Sequence, residues 1–361
     1  MIKFLKFAFP IYLIFLFLTG ITFYSAVKYE KTEDKEEITI TVPGETNEVS
    51  SFISIDNGFE LSGSFNTVSV YVSKLTKLQA FLLGKNNEED NDDPAIEFEE
   101  ENPKFNLTKE EETLSGKIQK DQSIEAAIIV SYSAAKELDK TDTIKFEYNF
   151  LGFIVYTYMI NQKTIKIGDL IVGIKKDGVD YSINNPNELV DALNNMALGD
   201  TIIYLRNGNY YEYLIDEELS YDNANNFYCY AKYEILETYP KCDIHSINTQ
   251  GPSGGFMQAL STYCTITEND LTGGKKIAGT GTISVNGNIG PIGGIKQKII
   301  TAIRNKCDIF LCPEYHYEEA LEAYNQTLGH ERMLLIKIPN SSVSNPDCGL
   351  IQAIKILEEL K

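Results

Sequence analysis

Two glycine-rich runs, Gly251-Pro252-Ser253-Gly254-Gly255 and Pro291-Ile292-Gly293-Gly294-Ile295-Lys296, constrain this chain of 361 residues more than any other feature. Runs of small residues turn tightly and let another backbone come close. Each brings one reactive side chain to its turn: Ser253 in the first and, 43 positions on, Lys296 in the second. A serine hydroxyl is a weak nucleophile near neutral pH, so acyl-transfer sites set a base beside it. Lysine serves where burial keeps its amine neutral. Backbone N–H groups of Gly251 to Ser253 would then face the developing oxyanion. Taken singly, the first run also fits a plain loop and the second a surface lysine at a helix start.

Together the two runs resemble the proteolytic domain of the Lon family (peptidase family S16), in which the serine lies in Gly-Pro-Ser-Ala-Gly and a lysine follows Pro-Ile-Gly-Gly-Leu. Between them, Ile277-Ala278-Gly279-Thr280-Gly281-Thr282-Ile283 and Gly287-Asn288-Ile289-Gly290 are similar to the strand and turn that lead to the family's lysine. The resemblance implies that Thr280 sets its hydroxyl near that lysine, and that Asp308 to Pro313 is a buried strand. It covers roughly residues 240 to 361. Gln250 stands where the family commonly has aspartate, Gly254 replaces alanine, and Thr280-Gly281-Thr282 replaces Thr-Gly-Glu. These departures resemble a smaller branch, the membrane-anchored PDZ-Lon proteases of Gram-positive bacteria.

Phe7 to Val27 carries no charged side chain over 21 residues, enough to cross a bilayer as a helix. A cleaved signal peptide is the alternative, opposed by the poor cleavage site Tyr24-Ser25-Ala26. Lysines flank the segment on both sides, so an outward-facing bulk is implied by the resemblance alone. The net charge of −20 excludes a nucleic-acid partner that needs a basic face, and gives no attraction to anionic lipid. Acidic clusters make 85–112 an expected loop.

Residues 38 to 83 alternate as strands, and Ser123 to Glu137 reads as a helix packed through alanines. Around 141–215, strands and one helix near Pro186 to Met196 resemble a PDZ domain. Phe150-Leu151-Gly152-Phe153 is similar to the Gly-Leu-Gly-Phe loop that takes a peptide's C-terminal carboxylate, which implies peptide binding at Leu151, Gly152 and Phe153; a spacer or gate role stays open.

Asp243-Ile244-His245 precedes Ser253, so a Ser–His–Asp arrangement competes with the Ser–Lys one. Six cysteines without Cys-x-x-Cys spacing argue against a zinc site and permit up to three disulfides. No Gly-x-x-x-x-Gly-Lys-Ser/Thr occurs, so an ATP-independent reaction is expected, with no cofactor and no metal.

The expected architecture is α+β: cytoplasmic residues 1–6, a transmembrane helix over 7–27, a strand-rich extracytoplasmic region 38–140, a PDZ-like module 141–215 and a Lon-type α/β proteolytic domain 216–361. The resemblance implies a serine endopeptidase of the cell membrane, single-pass, with Ser253 and Lys296 catalytic, Thr280 supporting and Gly251 and Ser253 giving oxyanion N–H groups. Its partners would be protein or peptide substrates, the membrane and further copies in a homo-oligomer. The competing class is an inactive scaffold whose PDZ-like module binds peptides.

Overall fold

The computed structural model describes residues 15–28, 38–83, 94–100, 105, 107–138, 143–182, 185–216, 226–245, 248–340 and 349–361. Two compact units divide the chain, one of Met1–Pro43 with Val70–Asn102, the other of Gly44–Ser69 with Pro103–Lys361. In chain order the first elements are α1 (15–26), β1 (Ile38–Glu48), β2 (Ile53–Ile55), β3 (Ser64–Lys74), α2 (Lys77–Leu82) and β4 (Glu97–Glu100). Helix α3 (Lys109–Leu138) follows. Then come β5 (Lys145–Tyr158), β6 (Leu170–Lys176), β7 (Val179–Ser182), α4 (Pro186–Asn194), β8 (Thr201–Arg206), β9 (Asn209–Leu214) and β10 (Phe227–Tyr239). Last are β11 (Cys242–Ile244), α5 (Gly255–Thr267), β12 (Lys276–Gly279), β13 (Thr282–Ile283), β14 (Ile289–Gly290), α6 (Ile295–Arg304), β15 (Ile309–Pro313), α7 (Tyr317–Gln326), β16 (Leu334–Ile338) and α8 (Gly349–Glu359).

In the smaller unit the alternation of Ile38-Thr39-Ile40 buries both isoleucines against Leu75 and Ala80, and β1 pairs antiparallel with β4 from Ile38↔Glu100 to Thr41↔Glu97. Helix α1 leaves Phe15, Phe17, Phe23 and Tyr24 exposed. No described helix is long and apolar enough to cross a membrane. Residues 1–14, with the first part of the expected span and the expected cytoplasmic residues, lie outside the described residues.

The larger unit is built on a parallel sheet of order β16-β15-β12-β3. Its strands alternate between two cores, as a sheet covered on both faces requires. Ile277, Ile309, Leu311 and Phe65 join a cluster with α3, α5 and α8. Ala278, Phe310, Cys312 and Val68 point the other way, against α6 and α7. Strand β15 is buried along its whole length, with Phe310 at 0 % exposure. Truncating such a ring to alanine costs about 3–5 kcal/mol.

This core corrects the expected boundaries. The 38–140 region is not a separate layer, because β3 lies in the sheet and α3 packs through Ala127, Ala134 and Ala135 against α5. Small residues let these helices approach: a Cβ on Gly255 would strike the Ser123 hydroxyl. Helix α3 also begins well before the expected Ser123. Thr108 caps it, its hydroxyl accepting from the Glu111 N–H (3.2 Å) while the Glu111 carboxylate accepts from the Thr108 N–H (2.9 Å). Glu110 to Glu112 therefore form a first helical turn, where negative charge is favourable. Glu97–Glu100 is strand β4, so the expected acidic loop holds neither there nor at 110–112; residues 84–93 and 101–104 lie outside the described residues.

The β module is a sheet of order β10-β5-β6-β8-β9 with β7 on β6. Phe153, Val155, Ile171, Leu189, Ile202 and Tyr204 form its core. Buried Asp169 accepts from Arg206 Nε (2.7 Å) and from the Lys166 N–H (2.7 Å), satisfying its charge inside the fold. Strand β10, assigned by sequence to the next domain, completes this sheet through its long pairing with β5.

The expected carboxylate loop is absent at Leu151, Gly152 and Phe153: all three lie within β5. Gly152 faces Lys232 and Phe153 faces Ala231 of β10, Phe153 also faces Ile171 of β6, and Leu151 is the unpaired residue of a bulge. Gly152 has φ +141, and a Cβ there would run into the Ile171 carbonyl oxygen. Its glycine serves strand contact.

Candidate active site

Ser253 stands in the turn that opens α5, half-buried, with its carbonyl held from two sides. The Gly281 N–H donates to that oxygen at 2.8 Å, and the Thr280 hydroxyl donates to it at 3.1 Å. Ahead of it, the Ser123 hydroxyl on α3 donates to the Pro252 carbonyl at 2.7 Å. Gly251, at φ +83, donates its N–H to the Gly116 carbonyl at 3.0 Å. That amide is consumed by α3, which removes Gly251 from the expected oxyanion donors. Among the described residues the Ser253 N–H enters none of the loop's backbone hydrogen bonds, and it lies one residue ahead of Gly254, the N-cap of α5, close to a helix end that favours negative charge.

Thr280, fully buried at the end of β12, joins the Ser253 turn to a lysine, and the lysine is Lys298. Its Nζ donates to the Thr280 hydroxyl at 3.2 Å. Lys298 is 3 % exposed, and burial pushes its pKa down to about 7. No carboxylate among the described residues pairs with it to restore the charge. The threonine's single proton is spent on the Ser253 carbonyl, so Thr280 can only accept from the lysine. A neutral amine held by one N–H keeps its lone pair free for another proton.

Lys296 is the residue the sequence favoured, and helix geometry separates it from this site. It lies two positions before Lys298 on α6, about 200° around the helix at 3.6 residues per turn. The buried side of α6 carries Ile295, Ile299, Ala302 and Lys298, while Lys296 is half-buried and meets neither Thr280 nor Ser253 in a hydrogen bond. The run Lys296-Gln297-Lys298 offers two lysines in sequence, and the signal that separates them is the helical phase of Ile295, Ile299 and Ala302.

The histidines are engaged elsewhere. His245 shares a hydrogen bond with Ser54 (2.9 Å), and Asp243 pairs with Lys241 (2.6 Å), so the Ser–His–Asp alternative is not assembled at Ser253. The His316 Nε2 accepts from the Ile292 N–H at 2.9 Å, bracing the turn ahead of α6. Cys229, Cys242, Cys264, Cys307 and Cys312 are free thiols, which removes the three-disulfide option; Cys348 lies outside the described residues. Among the described residues no cluster could hold a metal ion.

Residues 221–337 match the Lon protease (S16) C-terminal proteolytic domain. The chain is 29 % identical over 119 residues to Lon protease 2 of Herpetosiphon aurantiacus, covering 30 % of this chain and 14 % of that protein. It is 30 % identical over 96 residues to the Lon protease of Campylobacter concisus, covering 25 % of this chain and 12 % of that protein. With the Lon protease of Trichlorobacter lovleyi the identity is 32 % over 74 residues, 20 % of this chain and 9 % of that protein. The chain thus matches only a small part of the length of these relatives.

Proposed function

We propose that this chain is a serine endopeptidase in which Ser253 is the nucleophile and Lys298, in place of Lys296, is its base. The observation that carries the reading is a buried lysine without a carboxylate partner among the described residues, its pKa pushed down to about 7 and its amine tied through one threonine hydroxyl to the backbone of the serine. An amine with a pKa of about 7 is free base for much of the population at neutral pH, the condition for general-base work.

In this reading Lys298 takes the Ser253 proton as the hydroxyl attacks the scissile carbonyl. The Ser253 N–H at the start of α5 stabilises the oxyanion, and the protonated lysine then hands its proton to the leaving amine. Water follows the same route to release the acyl group. Thr280 orients the amine, while Ser123 and Gly116 of α3 fix the turn that presents the nucleophile.

The reaction is ATP-independent, and its substrates are flexible segments or peptides of the extracytoplasmic space, since a folded chain must open before its backbone reaches Ser253. The uncharged run Phe7 to Val27 anchors the protein in the cell membrane as a single pass, with the bulk outside. The module at 145–239 is PDZ-like in its order of strands and helix, and acts as a spacer and wall rather than a C-terminus receptor, because both edges of β5 at Phe153 are already paired. Further copies would assemble as a homo-oligomer. Support for the proteolytic reading comes from the S16 match over 221–337.

The test is cleavage of an unfolded protein by the purified chain and by its Ser253→Ala and Lys298→Ala variants, with and without ATP. Loss in both variants and indifference to ATP are expected. Full activity in Lys298→Ala would overturn the assigned base.

A further inference from the structure

Helix α6 begins without a side-chain cap. Its N-cap is Gly294, at φ +66, and the Lys298 N–H donates to the Gly294 carbonyl at 3.0 Å to close the first turn. The place of the Lys298 backbone therefore depends on the run Pro291-Ile292-Gly293-Gly294, whose two glycines give it little stiffness of its own.

A side chain from another element holds that run. His316 ends the turn Glu314–His316 between β15 and α7, and its Nε2 accepts from the Ile292 N–H at 2.9 Å. A ring nitrogen must be unprotonated to accept, so the proton of the neutral imidazole sits on Nδ1, which lies 3.9 Å from the Glu319 carboxylate of α7. Both ends of the brace are seated, because Ile292 and Tyr317 pack on the core that α6 and α7 share through Ile299, Ala302, Ala320 and Ala323. The charged groups that act on the ring are Glu319 from α7 and Lys298 from α6. Burial holds the ring's pKa below the ordinary histidine range; Glu319 opposes that depression and Lys298 adds to it. The ring is thus neutral at neutral pH, the form that keeps its bond to Ile292.

We propose that His316 is a positioning residue for the reaction: its neutral imidazole fixes the Ile292 amide and so holds the first turn of α6 where the Lys298 amine meets Thr280. The inference rests on Lys298 being the base. The brace acts through geometry, and His316 needs no contact with substrate. If the first turn of α6 unwinds or rotates, the 3.2 Å bond from Lys298 to the Thr280 hydroxyl is lost and water reaches the amine. The lysine pKa then climbs from about 7 toward its ordinary range, and less of the free base is present at neutral pH. A protonated ring cannot accept from Ile292, so the brace itself weakens in acid.

Two variants of the full chain test this. His316→Leu fills the half-buried site without an acceptor, and His316→Gln offers an amide oxygen about as far from the backbone as Nε2. In His316→Leu, kcat for a flexible peptide should fall about tenfold or more with KM little changed, and the acid limb of kcat/KM should move up by about one pH unit. His316→Gln should restore both to within about threefold and a few tenths of a unit. A folded His316→Leu protein with the parent's kcat and limb, or a loss that His316→Gln does not restore, would overturn the positioning role. A readout without activity comes from nitrogen NMR of the chain labelled at histidine, where only three side chains report. At pH 8 the His316 Nε2 should be unprotonated and coupled to the Ile292 N–H, and a proton on Nε2 would overturn the brace itself. If that coupling is seen but Lys298→Ala cleaves as the parent does, the base assignment fails and the positioning role falls with it.

Discussion

Two glycine-bearing segments show how differently one residue type serves the two regions of the larger unit. In the turn ahead of α5, Gly251 adopts φ +83 with nothing within 4 Å of where a Cβ would stand, and its amide is anchored to α3 at Gly116. That backbone leaves open space beside it. In β5, Gly152 adopts φ +141 with the Ile171 carbonyl closed over it, and the flanking strands use its neighbours' edges. The first glycine leaves room beside a reactive residue; the second removes room so that two strands can meet. A glycine motif acquires chemical meaning only from what surrounds it.

The largest effects should fall at the open segment. Lys298→Ala and Ser253→Ala should each lower kcat/KM for a flexible peptide by at least about a thousandfold, while Lys296→Ala stays within about threefold. Steady-state kinetics on the three purified variants decides it. Equal losses at Lys296 and Lys298 would mean that helical phase does not choose the base.

Next in size is the pH dependence. With the Lys298 pKa pushed down to about 7, kcat/KM should rise through about pH 7 as the amine becomes neutral. Stability carries the same sign. The unfolded chain binds a proton at this lysine up to the ordinary lysine range and the folded chain does not, so between about pH 7 and pH 10 the group's contribution becomes less unfavourable as pH rises. Lys298→Met should therefore raise the thermal midpoint most near pH 6, and the gain should shrink toward pH 10. His316 near the lysine also favours its neutral form when charged, and the Ile292 N–H on its Nε2 favours a neutral ring.

A smaller effect is expected from α3. Ser123→Ala deletes the hydrogen bond to the Pro252 carbonyl, worth about 1 kcal/mol, and should lower kcat about tenfold or less with KM little changed. Nothing in the sequence around Ser123 announced this contact, because its partner lies 129 residues away. The same distance explains what else was hidden. The order of small residues and glycines made the Ser253 turn legible, whereas the Thr280 hydroxyl, expected beside Lys296, meets Lys298 instead. The lysine required knowing which face of α6 is buried, and the role of α3 required the parallel pairing of β12 with β3, which brings the N-terminal part of the unit under the site.

The smallest effect on catalysis should come from Gly152→Ala, and it bears most directly on the contrast between the two segments. A Cβ at that position must displace the Ile171 backbone, and the φ of +141 is unfavourable for alanine, so the module should lose about 1–3 kcal/mol of stability. Thermal melts and hydrogen exchange in β5 and β6 would report that loss directly. If Gly152 serves only strand contact, kcat per folded molecule stays near that of the parent, and no peptide C-terminus competes with substrate in either protein. A folded Gly152→Ala protein that loses affinity for C-terminal peptides would instead give β5 a binding role despite its paired edges. The closed segment would then resemble the open one in function, and the difference drawn from their surroundings would fail.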